Sequence, residues 1–242
     1  MTRRQATHTT SAAPIETIDW DAAAAGLAAE GVASLGRLLP AEACDAFIAG
    51  YDDDARYRST VEMARHGFGQ GQYRYFAAPC GILADLRAAL YPPLAAIAND
   101  WSKTLSLPQR FPANHGDFIQ QCRAAGQARP TPLILRYGPG DYNCLHQDLY
   151  GAVHFPLQAM IMLSDPETDF DGGEFIITEQ RPRMQSRATA LRPRRGEALV
   201  FAVNERPKIG TRGPYRVKMR HGVSAVRAGR RFALGIIFHD AA

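Results

Sequence analysis

The spacing of apolar positions changes character about halfway along the 242 residues. Up to about residue 126 the apolar residues mostly recur at helical spacing, with short extended segments between. From Pro132 the pattern becomes a series of short apolar runs: LILRYG, YNCLHQD, LQAMIML, GEFIIT, ALVFAV, YRVKM and RFALGIIF. Gly- and Pro-rich turns separate them. Short apolar runs bounded by such turns predict strands, and many of them in succession predict a double-sheet barrel or jelly roll. The Asp171-Gly172-Gly173 triplet ahead of GEFIIT predicts a hairpin.

The first half reads as a helical part laid on that barrel. Residues 1–15 are polar and Thr-rich and predict a disordered tail. Asp19 or Asp21 caps an Ala-rich helix running to about Glu30, GVASLGRLL reads as a strand, and Pro40 opens a helix to about Gly50. A helical pattern from Cys80 to about Thr104 is interrupted at Pro92 and Pro93, and another helix covers about His115 to Gly126. The segment HGFGQGQYRYFAAP reads as a hairpin or a lid spanning about 68–78. Its Tyr73, Tyr75 and Phe76 are either core aromatics, the favoured reading, or rings free to stack on a base. The expected division is a tail at 1–15, an N-terminal helical and lid part at 16–131, and a barrel core at 132–242. No internal repeat interrupts it.

Candidate chemistry sits in the barrel half. His146 and Asp148 are separated by one residue, so on an extended strand both side chains point to one face. His221 comes much later, just ahead of another apolar strand. Two imidazoles and one carboxylate on one side of a metal leave the opposite side open, which suits non-haem Fe(II) and an oxidisable cosubstrate. Dioxygen activation at such a centre needs two further electrons, which 2-oxoglutarate supplies by decarboxylation to succinate. The distal carboxylate of that keto acid calls for a fixed guanidinium fork. Arg230 and Arg231 face opposite ways on the last strand, and Arg231 is chosen because Ala233 and Gly235 on its face leave room beside it. His8, His66, His115 and His154 lack this context and read as surface or core residues, and His239 is left without a role.

At these residues a resemblance enters. LRYGPGDYNCLHQD resembles the first ligand segment of AlkB-type nucleic-acid dealkylases. LSDPETDFDGGEF, RRGEALVF and HGVSAVRAGRRFALG are more similar to prolyl-hydroxylase-type oxygenases. Together they resemble a bacterial group of 2-oxoglutarate/Fe(II) oxygenases expected to act on damaged nucleic acid, over roughly residues 132–240. The resemblance implies a distorted double-stranded β-helix, jelly-roll or cupin-like, mainly β with N-terminal helices. It implies Fe(II), 2-oxoglutarate and O2 as cofactors, with Tyr137 hydrogen-bonded to the cosubstrate. Two positions depart from the AlkB pattern: Leu135 stands where that family has Asn, and Ile237 where it has a second Arg. AlkB-type base repair therefore does not follow from the likeness alone.

Composition narrows the setting. An apolar fraction of 46% supplies a real core. Cys44, Cys80, Cys122 and Cys144 are scattered without a CxxC pair, which argues against structural zinc or disulfides and for a reducing cytoplasm. Cys144 shares the strand face of His146 and reads as an inert core thiol. No apolar run approaches the ~20 residues that span a bilayer. The net charge is +4, yet the stretch 181–231 holds fifteen Lys or Arg against only Glu197 and Glu205. Its loops EQRPRMQSR and NERPKIGTRGPYRVKMR are expected to attract a polyanion, or else to be solvated or paired with acids such as Asp52, Asp53 and Asp54.

The expected activity is that of a dioxygenase hydroxylating or oxidatively demethylating a nucleic acid reached through basic loops in 181–220. A protein or small-molecule hydroxylase is the alternative, and a metal-binding barrel without turnover is the least favoured reading.

Overall fold

The structure is a computed structural model, and it describes residues 15–242. The expected tail, except Ile15, lies outside the described residues. Four α-helices are seen among them: α1 (Trp20–Glu30), α2 (Ala41–Ala49), α3 (Ile82–Thr104) and α4 (His115–Ala124). Four strands lie among these helices: β1 (Val32–Arg37), β2 (Tyr57–Glu62), β3 (Gly69–Gln70) and β4 (Gln72–Phe76). The barrel half continues with β5 (Leu133–Tyr137), β6 (Tyr142–His146), β7 (Leu157–Met162), β8 (Phe170–Gly172) and β9 (Phe175–Gln180). It closes with β10 (Arg187–Leu191), β11 (Glu197–Ala202), β12 (Glu205–Gly210), β13 (Gly213–Val223), β14 (Val226–Gly229) and β15 (Arg231–Ile236).

Two antiparallel sheets make the barrel, as expected for a jelly roll. The larger runs β1-β11-β7-β15-β5-β4-β2, and the smaller runs β10-β9-β13-β6-β3 with β12 on β13. β7 and β15 are buried at every position. That is why LQAMIM and RFALGI read as unbroken apolar runs rather than alternating ones. One face of this central pair lines the interior. The other packs under the N-terminal part, where Tyr51 meets Phe232 edge-on at 5.4 Å and Tyr91 of α3 stacks on Phe118 of α4 at 5.3 Å.

Local caps follow side-chain chemistry. Asp19 accepts from Ala22 N at 2.9 Å at the start of α1, and Gly31 ends that helix in the left-handed region. α3 differs from expectation, because it runs unbroken through Pro92 and Pro93. The two prolines remove hydrogen bonds to the carbonyls of Ala88 and Ala89. Both alanines are exposed, so water can satisfy those oxygens, while Leu90, Tyr91, Leu94 and Ala95 hold the helix to the core.

Two other expectations change. The 171–173 triplet is not a hairpin: β8 pairs with β14, whereas β9 pairs with β10 and β13. Gly172 (φ 75°) and Gly173 (φ 61°) carry the chain from one pairing to the other. The segment around 68–78 is part of the wall, since β4 is hydrogen-bonded between β2 and β5. Phe76 is buried against Phe47 and Tyr57, in line with the favoured core reading, and is not free to stack on a base.

Candidate active site

The interior of the barrel holds a cavity of about 190 Å³ reached from the β6 side. His146 ends β6 and His221 lies opposite it on β13 as a cross-strand pair, their ring centroids 4.3 Å apart. Asp148 lies just past the end of β6, so strand alternation does not place it. The turn brings it back instead: Asp148 Oδ1 is 3.5 Å from His146 Nε2, and its Oδ2 is 3.3 Å from His221 Nε2. One ligand atom from each of the three lies within 4.8 Å of the others.

The register slips between His221 and Val223, so Cys144 and Leu145 are both extruded to solvent beside the site. Cys144 is accordingly an exposed thiol, not a core one. The carbonyl it turns inward accepts from His146 Nδ1 at 2.8 Å. That hydrogen bond puts the proton on Nδ1 and leaves Nε2 as the lone-pair donor facing the cluster. His221 is packed beside Phe201 at 4.6 Å and Phe175 at 6.0 Å. Burial, then the neighbouring His146, lowers its pKa, so its ring is neutral. For Asp148, burial pushes the carboxyl up, but the His221 hydrogen bond, both imidazoles and Tyr150 more than offset that. The group stays an anion, well below the usual carboxylate range.

The surrounding groups were not legible as site residues in the sequence. Tyr150 donates to Asp148 Oδ1 at 2.7 Å. Gln147, between His146 and Asp148, donates to Asn204 Oδ1 and to the Met219 carbonyl, each at 2.7 Å. Gln127 donates to the carbonyls of Val153 (2.8 Å) and Asp240 (2.6 Å) and accepts from Val153 N (2.7 Å). It thereby ties the loop after Asp148 to the C-terminal segment. Such signals are tertiary, and no motif announces them.

Arg231 and Tyr137 are register partners on β15 and β5, both essentially fully buried, with the guanidinium 5.4 Å from the phenol ring. Arg231 Nε donates to the Gly173 carbonyl at 2.9 Å. Its Nη2 and the Tyr137 hydroxyl are buried without any hydrogen-bond partner among the described residues. Burial lowers the arginine to about 10 and raises the tyrosine to about 12, so both carry their protons at neutral pH. A buried cation and a phenol with idle donors, in the same cavity as the triad, suit an anionic ligand.

The basic stretch is largely consumed in structure. Arg206, buried, bonds Glu179 at 2.5 Å and the α1 carbonyls of Ala28 and Ala29, while Arg181 also meets Glu179 at 2.9 Å. Arg194 pairs with Glu167, Arg195 with Asp45, Arg227 with Asp171, and Arg216 and Lys218 with Glu205. Asp52 and Asp54 pair with Arg136 and Arg74 instead. Exposed and without a side-chain partner among the described residues are Arg183, Arg212, Arg220 and Arg230.

Residues 71–241 match the Oxygenase-NA family, described as an oxygenase catalysing oxidative methylation of damaged DNA. The chain belongs to this family. An uncharacterized protein of Mycobacterium tuberculosis, recorded in strains CDC 1551 / Oshkosh and ATCC 25618 / H37Rv, is 50% identical over 161 residues, covering 66% of this chain and 69% of its own. Among solved structures, a Pseudomonas putida prolyl-4-hydroxylase superposes with a TM-score of 0.54 at 17% identity, over 92% of this chain and all of its own. A 2OG-Fe(II) oxygenase-family oxidoreductase from Burkholderia pseudomallei gives 0.52 at 18%, over 92% and 93%. These two likenesses show the fold. As an Oxygenase-NA protein the chain is an enzyme, and its His-Asp-His cluster supports Fe(II), 2-oxoglutarate and O2 as the cofactors.

Proposed function

We propose that His146, Asp148 and His221 hold Fe(II), that Arg231 and Tyr137 hold the distal carboxylate of 2-oxoglutarate, and that the enzyme oxidises a methyl or other C–H carbon of a nucleic acid. The observation that carries this reading is the pairing of the triad with a buried guanidinium that has idle donors in the same cavity. Bound there, Fe(II) with 2-oxoglutarate and O2 supplies oxygen insertion into a C–H bond, coupled to decarboxylation to succinate. The chain's own part is positioning. The Cys144 carbonyl sets the His146 tautomer, Tyr150 orients Asp148, and Gly173 aims Arg231. Oxygen insertion at an N-methyl carbon yields formaldehyde and the free amine. The chemistry of this site therefore supports removal of a methyl group rather than its addition.

The family description names damaged DNA. The exposed, unpaired Arg183, Arg212, Arg220 and Arg230 support phosphate contacts, a smaller set than the charge of the segment suggested. All four cysteines are free, in keeping with a reducing cytoplasm, and no helix among the described residues is long and apolar enough to cross a membrane.

The test is succinate and formaldehyde release from 2-oxoglutarate, Fe(II), ascorbate and methylated single-stranded DNA, run beside proline-containing peptides. Turnover with DNA, and affinity that falls steeply with salt, are the expected results. Turnover with peptides alone would replace this reading with that of a protein hydroxylase. Full turnover by His146→Ala would remove the triad assignment.

A further inference from the structure

Gln158 lies on β7, a strand otherwise made wholly of apolar side chains and buried on both faces. Its side chain lines the same cavity and is 6% exposed. The amide oxygen is buried with no hydrogen-bond partner among the described residues. A buried amide left unpaired destabilises the fold, and an apolar side chain of this size would suit the position better. The group therefore stands ready for something that enters the cavity.

Strand register puts it away from the cosubstrate pair. Arg231 faces Tyr137 at one end of the β15–β5 ladder, whereas Gly235 faces both Leu133 and Met160 at the other. Gln158 lies two residues beyond Met160 in that second direction, beside Phe201, whose ring contacts His221. The walls at this end include Leu133, Met160 and the perpendicular rings of Tyr73 and Tyr75, 5.4 Å apart. At the rim Phe68, 46% exposed, is stacked on His66.

We infer that Gln158 is the residue that reads the substrate, by pairing its amide with an adenine-type edge, an exocyclic amino group beside a ring nitrogen. The inference rests on the nucleic-acid reading above and narrows it. A carboxamide presents one donor and one acceptor side by side in a plane, and adenine offers the complementary pair. A trans peptide group points its N–H and C=O in opposite directions, so one amide cannot take both. Flat, mainly apolar walls around the Gln158 amide thus favour a planar heterocycle over a peptide.

Short single-stranded thymidine pentanucleotides test this, carrying adenine or unsubstituted purine (no amino group) at the centre. Binding is read by fluorescence anisotropy, without oxygen, to the full chain loaded with Fe(II) and 2-oxoglutarate. The wild type is expected to prefer the adenine oligonucleotide about tenfold, the usual scale for a bidentate base contact. Gln158→Met is expected to erase that preference by weakening adenine to the level of purine. Its melting temperature should equal or exceed that of the wild type, since the change removes an unpaired buried amide oxygen. Preference retained by Gln158→Met, or absent from the wild type while both oligonucleotides bind, overturns the inference and leaves the nucleic-acid reading intact. Binding of neither oligonucleotide, alongside binding of a proline-containing peptide, overturns both.

Discussion

Tyr150 and Asp148 are joined by a 2.7 Å hydrogen bond from phenol to carboxylate, made inside a loop that Gln127 holds through the Tyr150 carbonyl and both backbone groups of Val153. The bond occupies one lone pair of Oδ1 and leaves Oδ2 facing His221. The acid that completes the triad is therefore aimed by residues outside it.

Tyr150→Phe deletes that donor while keeping the ring. Outer-sphere partners of metal ligands typically matter by about 10- to 100-fold in affinity. We expect Fe(II) affinity, measured by anaerobic titration, to fall within that range, with the melting temperature nearly unchanged. An unaltered metal affinity would show that Asp148 is oriented without Tyr150.

For Arg231 the expected signature is a split between stability and binding. Arg231→Met removes a buried cation that has no acidic partner within 4 Å among the described residues, and the desolvation this relieves offsets the Gly173 carbonyl left unpaired, so stability should change little. Affinity for 2-oxoglutarate should drop by about 100-fold, because a charge-assisted bidentate contact is lost. Arg231→Lys should recover little, since one ammonium cannot bond the Gly173 carbonyl and grip both oxygens of a carboxylate. Equal affinity in Arg231→Met, by calorimetry, would place the cosubstrate elsewhere.

Gln127→Leu strips partners from Val153 N–H and from the Val153 and Asp240 carbonyls. Buried groups left unpaired cost about 1–3 kcal/mol each, so a loss of at least about 2 kcal/mol in urea unfolding is expected. Metal affinity should fall with it, because the freed loop is the one that carries Tyr150. Stability lost with metal affinity intact would separate the clamp from the site.

The pH response should be set in part by His239, which is buried and whose pKa is lowered to about 4, chiefly by burial. Its Nδ1 accepts from Phe155 N at 3.2 Å, which requires the neutral ring. Unfolded, the ring takes up a proton near pH 6.5. Between that pH and about 4 the unfolded chain binds more protons than the folded one, so stability falls as the pH is lowered through this window. The loss attributable to this residue is about 3 kcal/mol at most. His239→Asn, which keeps an acceptor toward Phe155, should flatten the dependence of the urea midpoint between pH 6.5 and 4.5. An unchanged slope would assign the acid sensitivity to other groups.

How much of this was legible beforehand depends on whether a residue's role is local. The barrel strands were readable because LQAMIM and RFALGI are buried on both faces and bounded by turns. β10 and β12 were missed because RATAL and ERPKIG are polar, half-exposed and edge-like, and their strand state comes from pairing with β9 and β13. Pro92 and Pro93 looked like a break because their cost is local, while the packing that overrides it is not. The candidate ligand residues and Arg231 stood out by spacing and by flanking turns. Tyr150, Gln127 and Gln158 did not, because each has meaning only through a partner distant in the chain. The positive stretch overstates its free charge for the same reason: a count of arginines carries no record of Glu179, Asp45 or Glu167 opposite them.

β5 is joined to β4 along one side, and β4 in turn to β2. A chain begun at Pro132 would present β5 as a bare ribbon of unpaired amides next to an apolar face. Such an edge recruits other molecules into mixed sheets. Because β1 covers β11 along the opposite side in the same way, soluble expression of the barrel requires the segment from Val32 onward, and shorter versions should be recovered as aggregates.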